Sequence, residues 1–173
     1  HTMKVLLLLL PLALAAPSGP KASSQPDQRI IGGAPVDIST APYQGSLRTA
    51  SGSHTCGCAL IHANWAVSAG HCGGDASYST EWGMNNRGTG LVVGITSLTR
   101  HPEYDQGPGF TPNDLSVIQL TGSASGTNIQ PIQLATDPIQ GGNAYITGWG
   151  RTCYPECGIP VELYGTSLPI IDD

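Results

Sequence analysis

Short apolar runs alternate with clusters of turn-forming residues along most of the chain. Runs rich in Val, Ile, Leu and Thr are broken by Gly, Ser, Asn and Pro, as at 49–53, 72–79 and 106–113. This arrangement is typical of β-strands joined by turns, and no sustained 3.6-residue periodicity indicates a long helix. The pattern therefore predicts an all-β fold in which helices are short or absent. The predicted strands are 44–49, 56–61, 65–69, 90–98, 115–120, 144–147 and 168–171.

The beginning of the chain follows a different pattern. Lys4 precedes an apolar run that ends in small residues, which is typical of a secretory signal peptide, and the run is too short for a good membrane span. Pro11 opposes the alternative of a buried N-terminal helix. The next stretch, up to Arg29, is rich in Pro and Ser with almost no bulky apolar side chains, and it predicts a flexible leader. We therefore expect upstream residues at 1–2, a signal peptide through residue 16, a leader at 17–29 and a folded domain at 30–173.

Composition excludes one class of partner. The 173 residues carry a formal net charge of -5, and only 11% of them are charged and 6% aromatic. Nucleic-acid binding requires a basic surface that this chain does not offer. We expect no nucleic-acid partner and no membrane anchor.

The five cysteines change the interpretation once secretion is expected, because thiols in an oxidising compartment tend to pair. A bridge between Cys56 and Cys72 would close a loop of about 15 residues, for which chain entropy gives about 3 kcal/mol. Cys153 and Cys157 could pair with each other, or one could reach a partner outside the printed chain. Cys58 is left over, as a buried thiol or as one half of a bridge to a missing cysteine.

A metal site is the other interpretation of the histidine and cysteine cluster. His54, Cys56, Cys58, His71 and Cys72 supply suitable ligand atoms, but they lack the paired C-x-x-C spacing of zinc sites. No calcium-binding loop is recognisable between Ser77 and Gly90 either. We expect no metal and no cofactor.

Four short motifs occur along the chain. They are RIIGG at 29–33, WAVSAGHC at 65–72, NDLSVIQL at 113–120 and GWG at 148–150. Together they resemble the trypsin-like, chymotrypsin-fold secreted serine proteases, and the resemblance runs from about Arg29 to the end of the chain. It implies a double six-stranded antiparallel β-barrel, and a secreted endopeptidase acting on proteins and peptides.

The resemblance also assigns roles to individual residues. It implies that His71 is the general base and that Asp114 orients its ring, whereas in isolation His71 would be a packing residue and Asp114 a turn residue. It further implies a zymogen that a trypsin-like protease cuts between Arg29 and Ile30. The freed ammonium group of Ile30 would then insert beside an aspartate that precedes the catalytic serine. Protein inhibitors of proteases are further expected partners.

The sequence departs from the family at Cys58, where the family usually has a small residue, at the cysteine pair of 153 and 157, and above all in its missing serine motif. It contains no Gly-Asp-Ser-Gly-Gly, and the segment GSASG at 122–126 is not a nucleophile motif. We therefore expect a complete first barrel, a second barrel that is only partly present, a serine that lies beyond residue 173, and no activity from the printed chain. A catalytically inactive homologue acting as a binding or regulatory module is the alternative, and an extracellular adhesion or structural domain is a third. Truncation is favoured because half a barrel leaves sheet edges unpaired.

Overall fold

The structure is a computed structural model that describes residues 30–105, 112–137, 141–153 and 157–171. The predicted signal peptide and leader, with Arg29, lie outside the described residues. Within the described ranges no helix is long and apolar enough to cross a membrane. The strands are β1 Ala34–Pro35, β2 Gln44–Arg48, β3 His54–His62, β4 Trp65–Ser68, β5 Ser79–Trp82, β6 Leu91–Arg100, β7 Ser116–Leu120, β8 Asn143–Gly148 and β9 Tyr164–Pro169, and 3₁₀ turns form at Ile38–Thr40 and Gly70–Cys72.

Six antiparallel strands close into a barrel in the order β2-β3-β4-β7-β6-β5, with β5 returning to pair with β2. Trp82 is fully buried in its interior. A Cβ on Gly45 would collide with the Trp82 ring, so glycine allows β2 to pass directly over the indole. The closed barrel confirms the predicted all-β fold. Its core consists of Leu47, Cys58, Leu60, Ala66, Trp82, Val93, Ile95, Ile118, Leu120 and Ala124.

A second, three-stranded sheet has the order β1-β9-β8. It lies beside a smaller core of Ile38, Met84, Trp149 and Leu163. A partly buried hydrogen bond connects this sheet to the barrel, because Thr147 Oγ1 on β8 donates to Gln44 Oε1 on β2 at 2.9 Å. This sheet is the part of the second barrel that the described residues form.

The prediction missed β5, since it treated 72–79 as a turn region and assigned no strand to the residues that follow. Thr80, Glu81 and Trp82 are all buried, so this strand lacks the polar and apolar alternation that identifies a half-buried strand. The carboxylate of Glu81 is accommodated by a later loop, where the backbone N–H groups of Gly88 and Gly90 donate to Oε1 at 2.8 and 2.9 Å. Local sequence gives no sign of that compensation.

The prediction also placed the last strand too late, at 168–171 instead of at β9, and it missed β1. β9 contains Gly165, Thr166 and Ser167, which are poor apolar signals. Its position is fixed by pairing with β8 along its whole length and with β1 at two positions. Tertiary pairing therefore outweighs a weak local preference.

The barrel brings together two chain segments that are far apart in sequence. β4 and β7 are antiparallel neighbours, and Ser68 at the end of β4 lies opposite Ser116 at the start of β7. Residues just after β4 therefore lie beside residues just before β7. His71 and Asp114 occupy these two positions.

Candidate active site

The backbone that carries His71 is held by side chains from two neighbouring strands. Ser116 Oγ donates to the carbonyl of Ala69 at 3.1 Å, and Arg100 Nε donates to the carbonyl of Gly70 at 2.9 Å. These contacts anchor the short 3₁₀ turn in which His71 lies. The imidazole is therefore presented from a rigid barrel edge.

Gly70 allows the turn to approach its neighbours closely. A Cβ there would lie 3.1 Å from the ring of Tyr104 and 3.2 Å from Asp114 Oδ1. Both distances are tighter than ordinary van der Waals contact. A larger residue would therefore push the turn away from the carboxylate.

Asp114 contacts His71 through both carboxylate oxygens. The backbone N–H of His71 donates to Oδ1 at 2.7 Å, and His71 Nδ1 lies 2.6 Å from Oδ2. Asn113, immediately before, adopts a left-handed conformation with φ of 57°, which turns the chain so that Asp114 faces β4. The sequence pattern indicated a turn followed by a strand, but not the left-handed conformation of Asn113.

The electrostatics of the pair fix the role of each ring nitrogen. The hydrogen bond from the His71 side chain lowers the pKa of Asp114, against the smaller effect of its burial, and so does the His71 backbone N–H. The carboxylate is therefore ionised and can only accept, so Nδ1 carries the proton in the neutral ring. This tautomer makes Nε2 the basic nitrogen, and the His71 side chain is 38% exposed at the protein surface.

The structure joins Cys56 on β3 to Cys72, with their Cα atoms 6.1 Å apart. Cys72 Sγ lies 3.7 Å from His71 Nε2, so the bridge packs directly against the imidazole. Donor atoms of Cys56, His71 and Cys72 lie within 4.8 Å of one another. Both sulfur atoms belong to the disulfide, so this cluster offers no thiolate to a metal ion.

The structure also gives the state of the three remaining cysteines. Cys153 and Cys157 are bonded to each other. Cys58 forms no disulfide and lies inside the barrel, where burial raises the pKa of its thiol. It behaves as a small core residue.

A cleft of about 870 Å³ lies between the barrel and the second sheet, and His71 lines it. The barrel side is formed by His71 and by the start of β3 from His54 to Gly57, and the opposite side by the end of β8 and the GWG segment. Ile30 also lines the cleft, is 5% exposed, and packs so closely on Gly33 that a Cβ there would collide with it. The Arg29–Ile30 bond begins outside the described residues.

Sequence reasoning missed the surroundings of His54, which it considered only as a metal ligand. His54 Nδ1 lies 2.7 Å from Ser46 Oγ, and its ring meets Trp149 edge-on at 5.9 Å. Burial, with a smaller contribution from Arg87, lowers the pKa of His54 to about 4. A histidine at the start of a strand was the only local signal.

Comparison with known proteins adds a family match. The family described as Trypsin matches residues 30–173. The chain is 35% identical to "Trypsin alpha" of Drosophila melanogaster, over 85% of this chain and 59% of that protein, and 32% identical to "Serine protease 1" of Homo sapiens, over 96% of this chain and 66% of that protein. The chain thus spans about three fifths of the length of the first of these relatives. Among solved structures, that of "Neuropsin, a serine protease expressed in the limbic system of mouse brain" superposes with a TM-score of 0.75 at 26% identity, covering 83% of this chain and 66% of that chain.

Proposed function

Because this chain belongs to the trypsin family of serine proteases, we propose that it supplies the general base and the orienting carboxylate of a secreted serine endopeptidase. The observation that carries the proposal is the contact of 2.6 Å between His71 Nδ1 and Asp114 Oδ2, reinforced by the backbone hydrogen bond from His71 to Oδ1. A base that is oriented by a buried or half-buried acceptor is the arrangement that activates a hydroxyl nucleophile.

In the proposed reaction, His71 Nε2 takes the proton from a serine hydroxyl as the oxygen attacks a peptide carbonyl. Asp114 keeps the ring in one orientation and stabilises the imidazolium that forms. The imidazolium then gives its proton to the departing amine, which leaves an acyl-enzyme, and water repeats the sequence to release the acid. The cleft that His71 lines is the site we propose for the peptide.

The 173 residues do not supply the catalytic serine of this proposal, since Gly-Asp-Ser-Gly-Gly is absent from the printed sequence. We assign it to polypeptide that follows residue 173. The same polypeptide would carry the carboxylate for the Ile30 ammonium group. A buried ammonium needs such a partner, because its desolvation costs several kcal/mol.

We further propose that residues 1–16 direct secretion and that 17–29 form an activation peptide removed after Arg29 by a trypsin-like protease. The burial of Ile30 supports this assignment, because the residue that would become the new terminus lines the same cleft as His71. Proteins and peptides are the proposed substrates, and protein protease inhibitors are proposed partners.

The experiment is to express the protein from its complete coding sequence, treat it with immobilised trypsin, remove the trypsin, and assay a panel of small amide and ester substrates. We expect activity to appear on cleavage after Arg29 and to be lost on reaction with a serine-directed phosphonylating reagent. Arg29→Gln, carried through the same treatment, is the matched control for residual trypsin and should stay inactive.

Asp114→Asn tests the catalytic assignment within the same assay. It should lower kcat by about 10⁴-fold, the known magnitude of this replacement in proteases of this fold, because the amide favours the wrong ring tautomer. Continued inactivity of the wild-type protein after clean cutting at Arg29 would contradict the proposed function and favour a binding or regulatory homologue.

A further inference from the structure

A second cavity, of about 320 Å³, adjoins the proposed peptide cleft. Its lining consists only of charged residues, histidine, serine and glycine, and includes Arg48, Glu81 and Arg87. We call it the Arg48 pocket. Its volume is at the lower end of the range for small-ligand sites, and its polar lining suits one charged group.

The Arg48 pocket carries an excess of positive charge. Glu81 is 2% exposed, and its Oε1 is already engaged by the backbone N–H groups of Gly88 and Gly90. Arg48 and Arg87 therefore place two cations around one internally satisfied anion. His54 adds no charge at neutral pH, because its pKa is lowered to about 4, mainly by burial.

Arg48 offers the donors of its terminal guanidinium nitrogens to a ligand in the pocket. Its Nε donates to the carbonyl of Gly52 at 2.9 Å and lies 3.9 Å from Glu81 Oε2. Among the described residues, no hydrogen bond engages its two terminal nitrogens. The side chain is 21% exposed, so these donors are accessible from the pocket. Arg87, by contrast, donates from Nε and Nη2 to the carbonyl of Pro160 and is fixed in place.

His54 lines both the cleft and the Arg48 pocket, so the two are contiguous. Residues in an antiparallel strand rise about 3.4 Å each, which places the Cα of His54 about 7 Å from that of Cys56. Cys56 is in turn 6.1 Å from Cys72, the neighbour of His71. An extended peptide bound in the cleft also rises about 3.4 Å per residue. A residue two to four positions from the attacked bond would therefore lie beside the pocket.

We propose that the Arg48 pocket binds the carboxylate of an aspartate or glutamate side chain located two to four residues from the bond that the enzyme cuts. Arg48 donates to the carboxylate through its terminal nitrogens, and Arg87 contributes a second positive charge to the same pocket. A planar guanidinium matches a carboxylate geometrically as well as electrically. The inference rests on the proposed function for the peptide in the cleft, and it concerns selectivity rather than the chemical step.

The test uses the activated full-length enzyme and peptides of one length in which Asp replaces Ser at the second, third or fourth position on either side of the cleaved bond. We expect Asp at one of these positions to raise kcat/KM about tenfold, mainly through a lower KM. Increasing salt should reduce the preference, because a partly exposed ion pair is screened.

Arg48→Gln should abolish the preference while leaving cleavage of the all-Ser peptide unchanged, and Arg48→Lys should keep part of it. Ser51→Ala is the matched control and should keep the preference, since Ser51 is an exposed residue of the turn after Arg48 and lines neither the cleft nor the Arg48 pocket. Thermal unfolding of each variant checks that the fold is intact.

Equal cleavage of Asp and Ser peptides by the wild type, or a preference that survives in Arg48→Gln, would overturn the inference. Cleavage of no peptide at all would instead count against the proposed function. In that event, fluorescence polarisation of the same labelled peptides decides on the pocket: tighter binding of an Asp peptide that depends on Arg48 supports it, and equal binding refutes it.

Discussion

His54 and His71 show how the surroundings of a residue set its chemistry. His71 lies in a short 3₁₀ turn, its side chain is 38% exposed, and its Nδ1 contacts a carboxylate whose pKa is lowered by this hydrogen bond. In the part of the chain that the structure describes, His54 contacts no carboxylate: its Nδ1 meets a hydroxyl, its ring meets Trp149, and the charge of Arg87 opposes protonation. The surroundings of His71 are those that its proposed role as a base requires, whereas His54 is a neutral hydrogen-bonding group near neutral pH.

At the scale of the residue, this contrast predicts an acid-sensitive stability. The pKa of His54 is about 4 in the folded protein against an ordinary value of 6.5, so between these pH values the unfolded chain binds a proton that the folded chain does not. The free energy of unfolding therefore falls as the pH drops from about 6.5 to about 4. Urea unfolding followed by tryptophan fluorescence across this interval should show a shallower fall for His54→Gln.

The matched control for this measurement is His62→Gln, because His62 lies on the exposed side of the same strand. It should leave the slope close to that of the wild type. An identical slope in wild type and His54→Gln would show that His54 does not titrate abnormally.

At the scale of the element, the two disulfides act over very different chain lengths. Cys56 and Cys72 are 16 positions apart and join β3 to the turn that carries His71, whereas Cys153 and Cys157 are 4 positions apart within one loop. A bridge that closes a longer loop removes more conformational entropy from the unfolded chain. The longer bridge therefore stabilises both the barrel and the turn that carries His71.

Removing the longer bridge by the double substitution Cys56→Ala and Cys72→Ala should lower the free energy of unfolding by about 3 kcal/mol. The double substitution Cys153→Ala and Cys157→Ala is the comparison, with an expected loss of about 2 kcal/mol because its loop is short. Urea denaturation under non-reducing conditions measures both. A larger loss from the shorter bridge would contradict this ranking.

At the scale of the whole molecule, polar contacts connect the barrel to the second sheet. Gln44 is 8% exposed, and its amide nitrogen donates to the carbonyl of Gly45 at 2.9 Å while its oxygen accepts from Thr147 at 2.9 Å. Trp149, which directly follows β8, donates its indole N–H to the carbonyl of Asn85 at 3.0 Å. The donors of these two bonds, Thr147 and Trp149, both line the cleft.

Thr147→Val keeps the shape of the side chain but removes the hydroxyl, so it leaves the buried oxygen of Gln44 without this donor. The free energy of unfolding should fall by about 1 to 2 kcal/mol, the cost of leaving such a group unsatisfied. Thr99→Val, at an exposed position of β6, should change it by less than about 0.5 kcal/mol. Equal effects of the two substitutions would show that the link across the cleft contributes nothing.

Local sequence was enough for much of this molecule. Alternation and turn residues predicted the strands that became β2, β3, β4, β6, β7 and β8 to within a few residues, because side chains two apart share a face whatever the rest of the fold does. The motifs around His71 and Asp114 predicted the family, which the family match confirms. Their catalytic roles, with those of Arg29 and Ile30, stay predictions.

The tertiary structure alone decided the rest, since it depends on groups that are distant along the chain. The His71–Asp114 contact joins positions 43 residues apart, and no local pattern states that they meet. β5 exists as a strand because a later loop supplies N–H donors to Glu81, and β9 exists because β8 and β1 pair with it. Periodicity is a property of neighbours, whereas a buried charge or an unpaired backbone is stabilised only by whatever the closed barrel brings beside it.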